Sequence, residues 1–281
     1  MLFLNSLTGV RSPATIAWYR SVLRRMTAWL GDKPIEQVTL PELRAWREHV
    51  ALGSASSWTR HAAARVPKRF FGWLLNEGEL AVDPAARLEL PRLVIQPKAG
   101  VAPVDMQRML AAARCEPRDY ALLLFFADTG CRVGGVAGLR WSDVDLEDRV
   151  ALVTEKGDKT RAVFFGARTA RALCVIQQYK SGYAHVFWGC GGKPLGVTGI
   201  YRIFRRTAGR AGVEVNWNPH QWRHGFSRGL LRRGASLANV AQLLGHNDIR
   251  VTAAFYGVFA YRELQQAHDQ YTWLPEDDPP A

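Results

Sequence analysis

Four prolines fall within residues 83–103 (Pro84, Pro91, Pro97 and Pro103), with Lys98-Ala99-Gly100 between the last two. Each lacks a backbone donor and disfavours helix in the residue before it, so no continuous helix crosses this stretch. The chain is expected to divide there. A first domain covers residues 1–85, a linker 86–101, a second domain 102–274, and an acidic, proline-rich disordered tail 275–281. With 281 residues, 48% of them hydrophobic, there is material for one large core or two moderate ones.

The first domain reads as helices. Ser12-Pro13 is a cap followed by proline at the first helical position, and Ile16, Tyr19, Leu23, Met26 and Leu30 then recur every three to four residues. Thr39 and Glu42 form a capping box around Pro41 and open a second helix through Trp46 and Val50. A third helix from about Ser57 presents Ala62, Val66, Phe70, Trp73 and Leu74 on its apolar side and ends at Gly78. Pro67 removes a hydrogen bond inside it and predicts a kink or an early break. Arg60, Arg65, Lys68 and Arg69 lie on its other turns.

The second domain mixes helices with a little β-structure. Helices are expected over 104–113, through the apolar run 121–127, over 132–139, 168–180, 198–211, 219–233 and 236–244, and in a tail from about Phe259 to Tyr271. Val150–Val153 and Arg161–Phe165 are strand-like runs around a polar Gly-Asp turn and should pair as a hairpin, with Val186–Trp188 as a further edge strand.

Charge narrows the partners. The chain carries 37 Lys plus Arg against 25 Asp plus Glu, a formal net of +12, which suits a polyanion. No apolar run approaches the ~20 residues that span a bilayer. Cys115, Cys131, Cys174 and Cys190 are widely spaced, with neither a CxxC pair nor a zinc pattern. The opening residues lack the pattern of a signal peptide. A reducing cytoplasm is the expected location.

Six residues have the chemistry to act on a phosphodiester. His220 and Arg223 are three apart on one helix face behind the Asn218-Pro219 cap, so an imidazole and a guanidinium can meet one phosphate. Such a pair alone also fits a structural ion pair. Arg132 follows the helix-ending Gly130, where backbone amides already favour an anion. Lys156 sits at the hairpin tip, suited to protonating a leaving 5′ oxygen, with Lys159 its competitor three residues on. His246 follows Gly245, and Tyr256 offers a phenol that becomes a nucleophile only among cations. His224 faces partly inward and reads as a supporting residue. No Asp/Glu cluster converges as a two-metal nuclease requires, so neither metal nor cofactor is expected.

The strings that carry these residues are TGCR (129–132), EKGDKT (155–160), PHQWRH (219–224) and LLGHNDIRVTAAFY (243–256). Their order resembles the signature of the tyrosine recombinase/integrase family (phage integrase, Xer-like). The resemblance covers nearly the whole chain, because SPATIAWYRSVLRRMTAWLG is also similar to that family's N-terminal helices. It implies a mostly α protein with a small β-sheet. An N-terminal helical core-binding (SAM-like) domain precedes a mixed α+β catalytic domain, and the two clamp duplex DNA.

The resemblance also implies roles. Tyr256 attacks the scissile phosphate to form a 3′-phosphotyrosyl bond, Arg132, Arg223 and His246 stabilise phosphate charge, His220 handles a proton, and Lys156 protonates the 5′ leaving group. Arg60, Arg65, Lys68, Arg69, Lys159 and Arg161 become candidate DNA contacts. A tetramer on paired sites, with a monomer or weak dimer when free, is the implied assembly. Two departures stand out. Family members usually carry an acidic residue three positions after the first arginine, where this chain has Gly135, and the step from His246 to Tyr256 is ten residues rather than the more common nine. A clamp that binds DNA without cutting is one alternative, and Gly135 is the feature that favours it. A topoisomerase-like enzyme that relaxes supercoils is another.

Overall fold

The computed structural model describes residues 2–53, 56–93, 99–155, 159–179 and 182–245. It divides into two compact units, Met1–Ile95 and Gln96–Ala281.

The first unit is helical: α1 (Leu2–Ser6), α2 (Pro13–Leu30), α3 (Leu40–Gly53) and α4 (Ser57–Asn76). Sequence-local chemistry sets the helix ends. Ser12 Oγ accepts from the Thr15 amide at 3.3 Å, and Gly31 takes φ 70° to end α2. The Glu42 carboxylate accepts from the Thr39 amide at 2.9 Å and its hydroxyl at 2.8 Å, closing the expected box at the start of α3. Lys33 pairs with the same carboxylate; that bond and the Thr39 bonds hold Glu42 down to about 2. Met26, Leu43, Trp46 and Phe71 are buried at the centre, each contributing roughly 1.5–3 kcal/mol of apolar burial. Phe3, Leu7 and Tyr19 build a smaller cluster with Val66.

Pro67 does not end α4 early, the second of the two outcomes expected of it. The helix runs unbroken through it, and the orphaned acceptor finds another donor: Trp46 Nε1 bonds to the Ala63 carbonyl, four residues before the proline, at 3.1 Å. Ala85 and Leu88 also pack into this core, so the chain remains with the first unit beyond Pro84.

The second unit holds α5 (Pro103–Ala113), α6 (Pro117–Thr129), α7 (Val133–Ala137), α8 (Ala167–Tyr179), α9 (Val197–Ala211), α10 (Pro219–Arg232) and α11 (Leu237–Leu244). Every residue from Ala121 to Phe126 is buried, so α6 is the central helix of this core, surrounded by Leu173, Phe204 and Trp222 among others. The chain enters along α10, where the Val101 amide bonds the Gln221 carbonyl at 3.0 Å. That approach needs a glycine on each side: a Cβ on Gly225 would lie 2.9 Å from Val101 Cγ1, and one on Gly100 (φ 75°) would lie 2.4 Å from the Gly225 nitrogen.

A three-stranded antiparallel sheet, in the order β1-β2-β3, packs beside α7: β1 (Val144–Asp145), β2 (Val150–Glu155) and β3 (Lys159–Phe164). The hairpin forms as expected, in a register pairing Leu152 with Ala162 and Glu155 with Lys159. The third strand differs. Val186–Trp188 makes only single bridges and loop bonds, such as the Val186 amide to the Leu139 carbonyl at 3.0 Å, and β1 takes the place beside β2. The two-residue β1 lies just before β2 in sequence, so pairing them closes a smaller loop than 186–188 would. Among the described residues, no helix is long and apolar enough to cross a membrane.

Candidate active site

The site begins where α6 ends. Gly130 takes φ 57°, and a Cβ there would lie 2.4 Å from Phe226 Cδ1, so only glycine fits against α10. The Thr129 hydroxyl donates to the Phe125 carbonyl at 2.6 Å and accepts from the Cys131 amide at 3.3 Å, fixing the turn. This brings Arg132 to the N-cap of α7. Burial pushes the neighbouring Cys131 thiol up to about 11, so it stays protonated.

Arg223 locks the turn to the other helices. Its guanidinium donates to the Gly130 carbonyl and to the Leu244 carbonyl, both at 2.7 Å, and its side chain is only 4% exposed. Asn218 Oδ1 accepts from the Gln221 amide at 3.1 Å, the expected cap that starts α10 and aims Arg223 inward. Buried Trp222 anchors the same helix in the core. His220 is exposed one turn before buried His224, and their rings meet 4.5 Å apart at 76°.

Glu155, at the end of β2, joins these parts. Its carboxylate accepts from the Arg132 amide at 3.0 Å and pairs with the Arg132 guanidinium. It also bonds Arg161 at 3.2 Å and lies 3.9 Å from Arg223. Burial raises its affinity for a proton. The Arg132 amide and the charges of Arg161 and Arg132 outweigh that, and Glu155 stays ionised below the usual carboxylate range. Sequence reasoning did not assign Glu155 a role. The available signal was its place in β2: Ala151, Val153 and Glu155 share the buried face of an alternating strand, and a carboxylate on a core face demands a cationic partner.

Sequence profiles agree over both units. The N-terminal SAM-like domain of phage integrases matches residues 2–78, and the phage integrase family matches 101–261. The chain belongs to the phage integrase family of tyrosine recombinases. Its activity is therefore site-specific cleavage and religation of DNA. It is similar to the tyrosine recombinase XerC of Corynebacterium efficiens, with 34% identity over 270 residues covering 92% of this chain and 86% of that one. The XerC of Mycobacterium leprae is 31% identical over 278 residues, covering 92% and 93%. In fold it is similar to the Tn1549 transposon integrase in complex with transposon right end DNA, at TM-score 0.79 and 18% identity over 96% of this chain and 98% of that one. It is also similar to a lambda integrase tetramer bound to a Holliday junction, at TM-score 0.75 and 18% identity over 92% and 77%.

In this recombinase the structure brings Arg132 and Arg223 together on Glu155, with Gly135 buried on α7 beside that carboxylate, and His220 and His224 lie on α10 with Arg223. Lys156, His246 and Tyr256 lie outside the described residues, as does the tail helix expected from Phe259. Two expected DNA contacts are hydrogen-bonded within the protein, and both are half-buried. The Arg161 side chain is 14% exposed and donates to the Leu243 carbonyl at 2.7 Å, and the Lys68 ammonium donates to the Ala85 and Ala86 carbonyls at 3.1 and 2.6 Å. Arg161 meets a carbonyl in the last turn of α11, and Lys68 meets two carbonyls of the segment that follows α4. Arg65, Arg69 and Lys159 are exposed, and Arg60 is half-buried.

Proposed function

We propose that Tyr256 is the nucleophile of this recombinase and that Arg132 and Arg223 hold the scissile phosphate of a DNA duplex. The observation that carries the reading is the convergence of the two arginines on Glu155, across a connection in which Arg223 binds a carbonyl 93 residues away in sequence. Guanidinium donors fixed beforehand stabilise the charge that grows on a five-coordinate phosphorus. The Tyr256 oxygen bonds the phosphorus and the 5′ oxygen leaves, giving a 3′-phosphotyrosyl link. His220 accepts the phenolic proton, Lys156 gives one to the departing 5′ oxygen, and His246 adds a donor to the phosphate. A 5′ hydroxyl on another strand then attacks the same phosphorus and restores Tyr256. The phosphotyrosyl ester retains the energy of the broken bond, so religation runs without a nucleotide.

The same reading assigns residues 1–85 to a core-binding domain, 86–101 to a linker and 102–274 to catalysis. Four protomers act on paired sites, in the nucleoid of the cytoplasm. The lambda integrase tetramer bound to a Holliday junction supports the four-protomer arrangement. Exposed Arg65, Arg69 and Lys159 would contact phosphates, in a manner weakened by salt.

Covalent trapping tests the reading. Wild-type protein and Tyr256→Phe are incubated with a library of nicked suicide duplexes that includes the DNA flanking its own gene. A protein–DNA adduct attached through a 3′ phosphate, present in the wild type and absent from Tyr256→Phe, is expected. An adduct that survives in Tyr256→Phe, or DNA binding with no adduct at any sequence, overturns it.

A further inference from the structure

We propose that Glu155 is the positioning carboxylate of the recombinase's arginine cluster, and that position 135 is glycine because the Glu155 side chain fills the space a side chain there would enter. The inference rests on the reading of Arg132 and Arg223 as phosphate-binding residues.

Three geometric facts lead to it. The Glu155 carboxylate divides its oxygens within one site: Oε1 accepts from the Arg132 amide at 3.0 Å and from Arg161 at 3.2 Å, while Oε2 takes the Arg132 guanidinium. It thus fixes both the backbone and the side chain of the arginine that reaches solvent, whose side chain is 42% exposed while that of Glu155 is 5% exposed. Second, Arg132 is the N-cap of α7, which makes Gly135 the third residue of that helix. A Glu at that position ordinarily reaches back to the N-cap amide, the donor that Glu155 satisfies here. One carboxylate is enough, and Glu155 delivers it from the neighbouring strand rather than from the helix itself. Third, a Cβ at position 135 would lie 3.2 Å from Cγ of Glu155 and 3.5 Å from both Val153 Cβ and the Thr154 carbonyl. A longer side chain at 135 must displace Glu155. Two carboxylates in that space would also repel each other.

The missing acid at 135 is therefore a relocation of the carboxylate within the site. Gly135→Glu alone should harm the enzyme, although it restores the residue most relatives are expected to carry. The Arg161 contact extends the same device. Arg161 holds Glu155 with one side of its guanidinium and the Leu243 carbonyl with the other, and a Cβ on Gly245 (φ 65°) would lie 2.5 Å from Arg161 Cδ. Glu155 is thereby tied to the end of α11 as well as to the start of α7.

The test measures single-turnover cleavage of a suicide duplex and, separately, DNA affinity, with circular dichroism and thermal melting as checks on folding. The full-length chain is used with five changes: Arg132→Ala, Glu155→Gln, Glu155→Asp, Gly135→Glu, and the double change Gly135→Glu with Glu155→Gly. Glu155→Gln is expected to slow cleavage of bound DNA ~10–100-fold, as small misplacements of a reacting group do, while DNA affinity changes less than about twofold. Glu155→Asp and the double change should regain part of the lost rate, and Gly135→Glu alone should be slower than wild type. If Arg132→Ala cleaves normally, the phosphate-binding reading itself is wrong. If Arg132→Ala is inactive but Glu155→Gln cleaves at the wild-type rate, or if Gly135→Glu is faster than wild type, the positioning role is refuted. A double change that folds but is slower than both Gly135→Glu and Glu155→Gln refutes the relocation.

Discussion

Two clusters of three arginines sit in the second unit, and they differ in the negative charge set among them. Arg118, Arg206 and Arg210 surround two carboxylates, Glu116 and Asp119. Arg118 pairs with Asp119 at 2.7 Å, Arg206 joins both acids, and Arg210 pairs with Glu116 and donates to the Ala112 carbonyl. Arg132, Arg161 and Arg223 surround one, Glu155. The first cluster is within one charge of balance and ties α9 to α5 and α6. The second retains an excess of two positive charges, with Arg132 reaching solvent. Equal numbers of guanidiniums thus serve different ends. Matched acids make a clasp, and a deficit of acids makes a place for an anion.

The acids themselves answer the difference. Asp119, only 1% exposed, is pushed up by burial and by its bond to Glu116, against the pull of Arg118 and Arg206. Glu155 is also buried, but among the described residues its charged partners are Arg132, Arg161 and Arg223, and it is held down. The carboxylate that organises the candidate active site is therefore held below its ordinary value, while the buried acid of the clasp is pushed above it.

The sharpest way to break this contrast is Arg223→Lys. An ammonium cannot reproduce the two parallel bonds to the Gly130 and Leu244 carbonyls, so cleavage should fall ~100-fold or more. Unfolding in urea should show a loss of about 2–4 kcal/mol from a buried, multiply bonded cation. Cleavage at the wild-type rate would remove Arg223 from the chemistry. Next in size, Gly245→Ala forces a left-handed residue against Arg161 Cδ and should destabilise by about 1–3 kcal/mol. Urea melts read the loss, and suicide-substrate cleavage should drop with it, because α11 and Glu155 share Arg161. Arg206→Ala should affect stability alone. Asp119 retains Arg118, so a loss of about 1–2 kcal/mol is expected with cleavage of bound DNA within about twofold of wild type. A large fall in cleavage there would erase the distinction between clasp and site.

The smallest effect is one of pH. Glu155 has a lowered folded pKa, so it contributes stability above the ordinary carboxylate range, and that contribution is lost as pH falls through the folded value. Asp119, with a raised folded pKa, binds its proton more readily when folded, so its contribution grows on acidification. Thermal melts between neutral and acidic pH should show a shallower acid loss for Glu155→Gln and a steeper one for Asp119→Asn. The reverse order would mean the two carboxylates have been assigned to the wrong environments.

Much of this architecture was legible in short stretches of sequence. Ser12, Asn218 and Ser236 start helices because a side-chain oxygen reaches the amide three residues on, and at Thr39 the Glu42 carboxylate reaches back to the amide three residues before it, so no distant contact is needed. The 150–164 hairpin follows from alternation around a polar turn. The early break at Pro67 fails for the opposite reason: its missing donor is compensated by Trp46, whose indole comes from another helix. The edge strand was misplaced because Val186–Trp188 is the more apolar run and Val144–Asp145 carries little strand signal, and only the packed loops choose between them.

The candidate site divides along the same line. The sequence by itself determined the family, the division into helical and mixed units, and the two arginines, since TGCR and PHQWRH are local strings whose turn glycine and helix spacing can be read in place. Only the tertiary structure decided that Glu155 joins them, that Gly135 yields its space to that carboxylate, and that Arg161 faces inward. Arg132 and Glu155 are 23 residues apart, and Arg161 and Leu243 are 82 apart. A charge is held in a core only by partners brought to it by packing, and no window of neighbouring residues contains that information.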